Sequence, residues 1–265
     1  MQTRLRTLEK RVAALLLSTV SYIAAVLPAA AYMPGNGLRG SPHDFRDSRY
    51  AAAGEGGACN YCHAGHDDRV RGEAAAGPLA SRSLLQASDT FDYLPVWNHE
   101  LTANLRYRMY ESGTGAPSRG SKASQAAGIS LRPGGSSLLC LSCHDGTIAV
   151  NSYGNVFGAG AMIDSPYLIG AGNSLANHHP VGFDYDSVRA QDSEIRPADV
   201  AMLGAAGTVR MHLSGPGNSM LECSTCHSVH NSGNTGEYLL WRSDARSRLC
   251  LTCHDKGADP GAAVP

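Results

Sequence analysis

The sequence predicts a chain that is mostly coil, with short α-helices and few strands. The 30 glycines and 13 prolines among its 265 residues place turns along its whole length. Only 4 phenylalanines and 2 tryptophans are available for a conventional apolar core. The third observation is a five-residue unit, Cys-x-x-Cys-His, which occurs four times, at residues 59–63, 140–144, 223–227 and 250–254.

Each unit has the spacing of an attachment site for a c-type haem. One helical turn places two thiols where they can add to the vinyl groups on one porphyrin edge, and the following imidazole then points at the iron. The sequence therefore predicts four covalently attached haem c groups, whose porphyrins form most of the core. The cysteines are Cys59, Cys62, Cys140, Cys143, Cys223, Cys226, Cys250 and Cys253, and the proximal ligands are His63, His144, His227 and His254.

Zinc ribbons and disulfide frameworks are the alternatives for these cysteines. A histidine follows the second cysteine every time, and with 11 histidines in the chain four chance coincidences would be on the order of one in a few hundred thousand. All eight cysteines lie inside the four units, so none is left over for a separate disulfide framework. Both observations favour haem.

Residues 1–31 have the pattern of a signal peptide. Basic residues between Arg4 and Arg11 precede an apolar run, and Ala29–Ala31 supply small residues for cleavage after Ala31. The run is about 16 residues, short of the roughly 20 that a spanning helix needs, so an uncleaved anchor is the less favoured reading. The remaining residues, 32–265, are expected to form a single tetrahaem domain with no membrane span.

The charge of the chain argues against a nucleic-acid partner. The formal net charge is −1, and removal of residues 1–31 leaves the rest near −4. Haem propionates would make the loaded protein more acidic still, and no basic stripe is present.

An internal duplication becomes visible when the motifs are extended. Motifs 1 and 3 continue as Cys-x-x-Cys-His-x-x-His, whereas motifs 2 and 4 read Leu-Cys-Leu-Ser/Thr-Cys-His-Asp. The order is therefore A-B-A-B, which predicts two haem pairs of similar construction.

Seven further histidines compete for the four distal positions, so bis-histidine ligation is expected in preference to methionine from Met211 or Met220. His66 and His230 each follow a motif histidine by three residues and share its helical face, so neither reaches the opposite side of its own haem. Each should ligate another haem, the alternative being a surface or propionate contact. The predicted distal ligands are His43, His66, His99, His179 and His230, while His178 and His212 are expected to be bystanders.

The chain resembles the extracellular tetrahaem cytochromes with doubled Cys-x-x-Cys-His units that polymerise into electron-conducting filaments. The resemblance lies in residues 43–45, 59–66, 96–99, 107–112, 139–151, 179–185, 223–231 and 249–256, including the Trp-Asn-His and His-Pro-Val-Gly-Phe blocks. It implies stacked bis-histidine haems and, in filament members, one iron completed by a histidine from the next subunit. His66 or His43 is the expected inter-subunit ligand.

The sequence thus favours a non-enzymatic electron conduit that is exported to the cell surface or beyond and assembles head to tail. Redox proteins or extracellular acceptors would be its partners. The alternative is a monomeric periplasmic shuttle. A multihaem reductase is a weaker reading, because it needs an iron with an open coordination position and the spare histidines outnumber the irons.

Overall fold

The computed structural model describes residues 37–46, 48–51, 57–63, 97, 99–102, 104, 106–109, 133–153, 160–204, 207–232 and 237–257. All of these belong to one compact unit, Pro34–Pro265. The predicted signal peptide, residues 1–31, lies outside the described residues, as does His66.

Five α-helices occur in the described residues, and all are short. They are α1 (Gly135–His144), α2 (Tyr185–Gln191), α3 (Val209–His212), α4 (Cys223–Cys226) and α5 (Arg248–Cys253). Single 3₁₀ turns lie at Ala58–Tyr61, Ser165–Tyr167, Ala171–Asn173, Pro216–Asn218 and Ala245–Ser247. None of the described helices is long and apolar enough to cross a membrane.

The described strands form two antiparallel pairs of two residues each. Strand β1 (Phe183–Asp184) pairs with β4 (Met220–Leu221), and β2 (Met202–Leu203) pairs with β3 (Gly207–Thr208). Other extended segments meet only at isolated bridges, among them His99 with Tyr153. The predicted class, mostly coil with short helices and few strands, is confirmed.

Local capping explains where two of the helices begin. Asp184 precedes α2, and its carboxylate accepts a hydrogen bond from the backbone N–H of Ser187 at 2.6 Å. Glu222 precedes α4 in a capping box with Thr225, in which each side chain accepts from the other residue's backbone N–H. Each cap therefore satisfies N–H groups that have no partner within the helix.

A protein core lies between β1, β4 and α2, beside motifs 3 and 4. Its buried members are Phe183, Tyr185, Val188, Ala198, Ala201, Leu203, Val209, Leu213 and Leu221. Trp241, Leu249 and Cys253 pack against this cluster from the motif side. A smaller cluster of Tyr107, Met109, Leu141 and Leu175 supports α1 and motif 2. Side chains therefore form a core of their own around 183–221, which the composition did not predict.

Candidate functional site

All four Cys-x-x-Cys-His units lie on short helical turns. Motif 2 occupies the end of α1, motif 3 occupies α4 and motif 4 lies at the end of α5. In motifs 1, 3 and 4 the backbone N–H of the histidine donates to the backbone carbonyl of the first cysteine, four residues earlier, at 2.8, 3.0 and 2.9 Å. This α-helical bond closes the turn, so two thiols and one imidazole project from a single compact unit.

The eight cysteines are all free thiols. Motif 1 lies near motif 2. Burial is the main cause that raises the pKa of Cys143 well above its ordinary value, and the nearby Cys62 thiol of motif 1 is the second. Motifs 2 and 3 lie close together as well: Cys140 and Cys223 share a hydrogen bond that raises the pKa of Cys140 and lowers that of Cys223.

Motifs 3 and 4 are neighbours in the same way. Burial, followed by the nearby Cys253 thiol, raises the pKa of Cys226 to about 12. The attachment thiols therefore follow one another through the molecule in the order of the sequence, motif 1 beside 2, 2 beside 3 and 3 beside 4.

Three of the four motif histidines face a second imidazole. The pairs are His43 with His144, whose ring centres are 6.2 Å apart, His63 with His230 at 6.1 Å, and His179 with His254 at 6.2 Å. Each pair joins a Cys-x-x-Cys-His histidine to one of the histidines predicted as distal ligands. Aromatic rings in ordinary contact also have centres about 4.5–7 Å apart, so the distance alone does not identify a bound group.

The separation is compatible with an iron ligated by both rings. Metal–imidazole bonds of about 2.0–2.1 Å, with about 1.2 Å from each nitrogen to its ring centre, place two opposed rings about 6.4 Å apart. Within the described ranges, His, Cys, Asp and Glu side chains form no group of three or more that could hold a metal ion. Two axial imidazoles with the four nitrogens of a porphyrin would complete an iron site, so the paired histidines fit haem c.

The ring orientations also suit axial ligation. The Nδ1–H of His144 donates to the Tyr167 carbonyl at 2.8 Å, and that of His179 donates to the Pro180 carbonyl at 2.8 Å. The Nδ1–H of His227 donates to the Leu239 carbonyl at 3.0 Å. Because a carbonyl only accepts, Nδ1 carries the proton in each ring and the Nε2 lone pair is available to a metal.

His43 is held in the neutral form that a metal ligand requires. Burial, and then the nearby His144, lower the pKa of its imidazole to about 4. The Phe45 ring lies beside it, with ring centres 5.9 Å apart. At neutral pH this imidazole therefore carries no charge that would oppose binding of an iron cation.

His99 does not face a motif histidine in the described structure. It is buried, and its Nδ1–H donates to the Glu100 carbonyl at 2.7 Å. Its Nε2 lies 3.1 Å from the Ala149 carbonyl and 3.4 Å from the sulfur of Cys143. The predicted distal ligand is thus placed against the attachment sulfur of motif 2, and not across from an imidazole.

Among the described residues, His227 is the motif histidine without a ring contact to a second imidazole. His144 is nevertheless near enough to lower the pKa of the His227 imidazole, after burial, and His227 in turn contributes to the lowered pKa of His43. His66, the remaining predicted distal ligand, lies outside the described residues, so no position is assigned to it. His212 packs against Trp241, with ring centres 4.3 Å apart.

Two buried carboxylates near the motifs were not predicted as site residues. Asp145 follows His144 directly, and Glu222 lies between α1 and α4, where its carboxylate accepts a hydrogen bond from the Ser137 hydroxyl. The sequence carried one signal for Asp145, since an aspartate follows both motif 2 and motif 4. No local pattern distinguished Glu222 from an exposed helix cap.

The comparison with protein families agrees with this geometry in the C-terminal part of the chain. Residues 215–259, which contain motifs 3 and 4, match the family model for the doubled CXXCH motif. These residues form a doubled CXXCH unit of the c-type cytochrome kind. A search of curated proteins gave no match.

The doubled unit indicates covalently bound haem c and a multihaem c-type cytochrome active in electron transfer. Cytochromes with paired motifs of this kind are generally electron carriers and not enzymes. Motifs 1 and 2 lie outside the matched residues, but they share its spacing and its helical geometry.

Proposed function

We propose that the chain is an exported electron-transfer protein that binds four haem c groups and polymerises head to tail into an extracellular conducting filament. The observation that carries the haem assignment is the set of three imidazole pairs with ring centres 6.1–6.2 Å apart. Haem c bound between these rings would supply an Fe(III)/Fe(II) couple at each site.

The axial ligands proposed for haems 1, 2 and 4, numbered by motif, follow from these pairs. They are His63 with His230, His144 with His43, and His254 with His179. Paired imidazoles keep each iron six-coordinate, which suits electron transfer because no position is left open to substrate. The motif thiols lie near one another in sequence order, and this proximity supports a continuous path from haem 1 to haem 4.

For haem 3, His227 needs a distal ligand, and we assign His66 to that role. We propose His66 and not His43 as the ligand that crosses a subunit boundary, because the His43 ring lies 6.2 Å from the His144 ring of its own chain. The terminal haems 1 and 4 already have paired imidazoles, so haem 3 is the iron that a neighbouring His66 would complete. A His66 from the same chain is the competing arrangement.

The monomeric periplasmic shuttle remains the second candidate. It is favoured by the observation that three imidazole pairs close within a single chain, without help from a neighbour. In that case His66 would complete haem 3 within its own subunit. Both candidates share the same haem sites and differ in where the His66 ligand comes from.

Haem content and coordination are tested on the secreted wild-type protein. Intact mass should exceed that of the processed chain by four haems, and oxidised spectra should be low-spin throughout. A protein without covalent haem would contradict the proposal. An iron that binds CO stoichiometrically in the reduced protein would instead favour the reductase.

Polymerisation is tested by negative-stain microscopy of wild type, His66→Ala and the control His178→Ala. If His66 acts between subunits, His66→Ala should give monomers with one high-spin iron, while His178→Ala still forms filaments. Wild-type monomers with four low-spin irons would establish the shuttle. Filaments of His66→Ala with all irons low-spin would show that this residue is not the ligand.

A further inference from the structure

Two aspartates at equivalent positions of the duplicated sequence have different surroundings in the structure. Asp145 follows the histidine of motif 2, and Asp255 follows that of motif 4. The Asp145 residue is 4% exposed, whereas the Asp255 side chain is 59% exposed. Because the two motifs are nearly identical, the difference arises from what packs around them.

The Asp145 carboxylate accepts hydrogen bonds on both oxygens. The backbone N–H and the hydroxyl of Thr147 donate to Oδ1 at 2.9 and 2.6 Å. The Asn104 amide and the Tyr107 hydroxyl donate to Oδ2, each at 2.7 Å, and the Thr102 hydroxyl donates to Oδ2 as well. All five described hydrogen bonds to this carboxylate come from neutral donors, and none of its described partners is a cation.

Asp255 is in contact with solvent and with a cation. Its carboxylate forms an ion pair with the Arg196 guanidinium at 2.8 Å, and the Arg196 side chain is 33% exposed. Water and the arginine together screen the negative charge of this aspartate.

Asp145 is held at the end of the motif 2 helix. It directly follows His144, and its backbone N–H donates to the Leu141 carbonyl at 3.0 Å, which continues the turn of α1. Asp255 directly follows His254, but its backbone N–H donates to the Glu194 carbonyl at 2.7 Å, outside motif 4. The buried carboxylate is therefore fixed beside motif 2, whereas the carboxylate after motif 4 is exposed at the surface.

We propose that Asp145 is a positioning residue whose fixed negative charge lowers the reduction potential of haem 2, whereas Asp255 has no comparable effect on haem 4. This inference rests on the proposed function, in particular on haem at motif 2. Reduction of a haem bound at motif 2 would add one electron to its ferric iron, and dithionite supplies that electron in the test below. A buried carboxylate opposes that added charge, and the opposition is stronger in a protein interior than beside water.

The test is a redox titration of the holoprotein with dithionite as reductant, in which NMR of the haem methyl groups separates the four irons. Asp145→Asn should move the haem 2 component to higher potential. Asp255→Asn is the matched control. It should raise the reduction potential of haem 4 by less than about a third of the rise that Asp145→Asn causes at haem 2. Equal shifts in the two variants, or no shift in Asp145→Asn, would overturn the inference.

A second variant separates charge from structure, because Asp145→Asn also disturbs the segment that contains Asn104 and Tyr107. Tyr107→Phe removes one hydrogen-bond donor to the Asp145 carboxylate and loosens the packing around it. The carboxylate keeps its negative charge, which fewer donors then stabilise. Its haem 2 potential should stay unchanged or fall. A rise in Tyr107→Phe matching that in Asp145→Asn would assign the effect to loosening and would contradict the electrostatic role. Absence of haem in the wild type would instead refute the proposed function.

Discussion

The imidazoles of His63 and His230 lie across from each other, with ring centres 6.1 Å apart and ring planes inclined by 19°. His63 closes motif 1, whereas His230 follows motif 3 by three residues. The proposed first haem site therefore uses residues from both halves of the internal duplication. The three-residue spacing after His227 predicts that His230 serves a haem other than that of its own motif, and the proposed pairing with His63 follows that prediction.

Replacement of His230 by alanine should open one axial position of haem 1. We expect one high-spin iron in the oxidised protein and binding of one CO after reduction, because no other described imidazole faces His63. Optical and EPR spectra measure both changes. His178→Ala is the matched control and should leave all irons low-spin. Unchanged spectra for His230→Ala would show that the pair does not ligate iron.

Replacement of His43 by alanine should have its effect within a single subunit. The His43 ring faces His144 of the same chain, so the variant should contain one high-spin iron in both isolated subunits and any assembled form. Size-exclusion chromatography combined with absorbance spectroscopy across a dilution series measures this. A high-spin signal that disappears on assembly would mean that a neighbouring subunit replaces the missing ligand.

Glu222 should make stability fall as pH rises between about 4.5 and 8. Burial raises the pKa of its carboxyl from 4.5 to about 8, so in this window the folded protein retains a proton that the unfolded chain has released. The stability associated with protonated Glu222 is fully present below pH 4.5 and is lost by about pH 8. The free energy of unfolding should fall by at most about 1.4 kcal/mol per pH unit in this window. Urea unfolding of the holoprotein at several pH values measures this slope.

Glu222→Gln should remove that slope while keeping the size of the side chain. The variant should therefore gain stability relative to wild type as the pH rises from 5 to 8. Glu194→Gln is the control, because Glu194 is exposed and paired with Lys256, and it should retain the wild-type slope. Parallel curves for Glu222→Gln and wild type would show that Glu222 ionises normally.

Gly182 should not tolerate a side chain. Its φ of +76° lies in the left-handed region, and a Cβ there would come within 3.2 Å of the Pro133 Cα. We expect Gly182→Ala to lower the free energy of unfolding by about 1–2 kcal/mol or more. Gly134→Ala is the control, because its φ is −90° and no atom lies within 4 Å of the added Cβ. Equal stabilities in denaturant would contradict this prediction.

The sequence alone predicted the parts of the site that depend on short-range geometry. The spacing of Cys223, Cys226 and His227 needs only one helical turn, and the structure forms that turn in α4. The fold class followed from composition for a similar reason, since frequent glycine and proline limit the length of helices and strands locally. The His230 argument also used only three-residue spacing along the chain.

Tertiary structure decided which distant residues meet. Nothing near His43 or His179 in the sequence specifies that they face His144 and His254, because such pairs depend on how loops close and helices pack. Long-range packing also gives Asp145 and Asp255 different surroundings, although their local sequences match. Asp145 is buried beside Thr102 and Tyr107, away from solvent and from any described cation, whereas Asp255 lies at the surface beside Arg196. Sequence determined the chemistry available at each motif, and long-range packing determined its partners and its electrostatic surroundings.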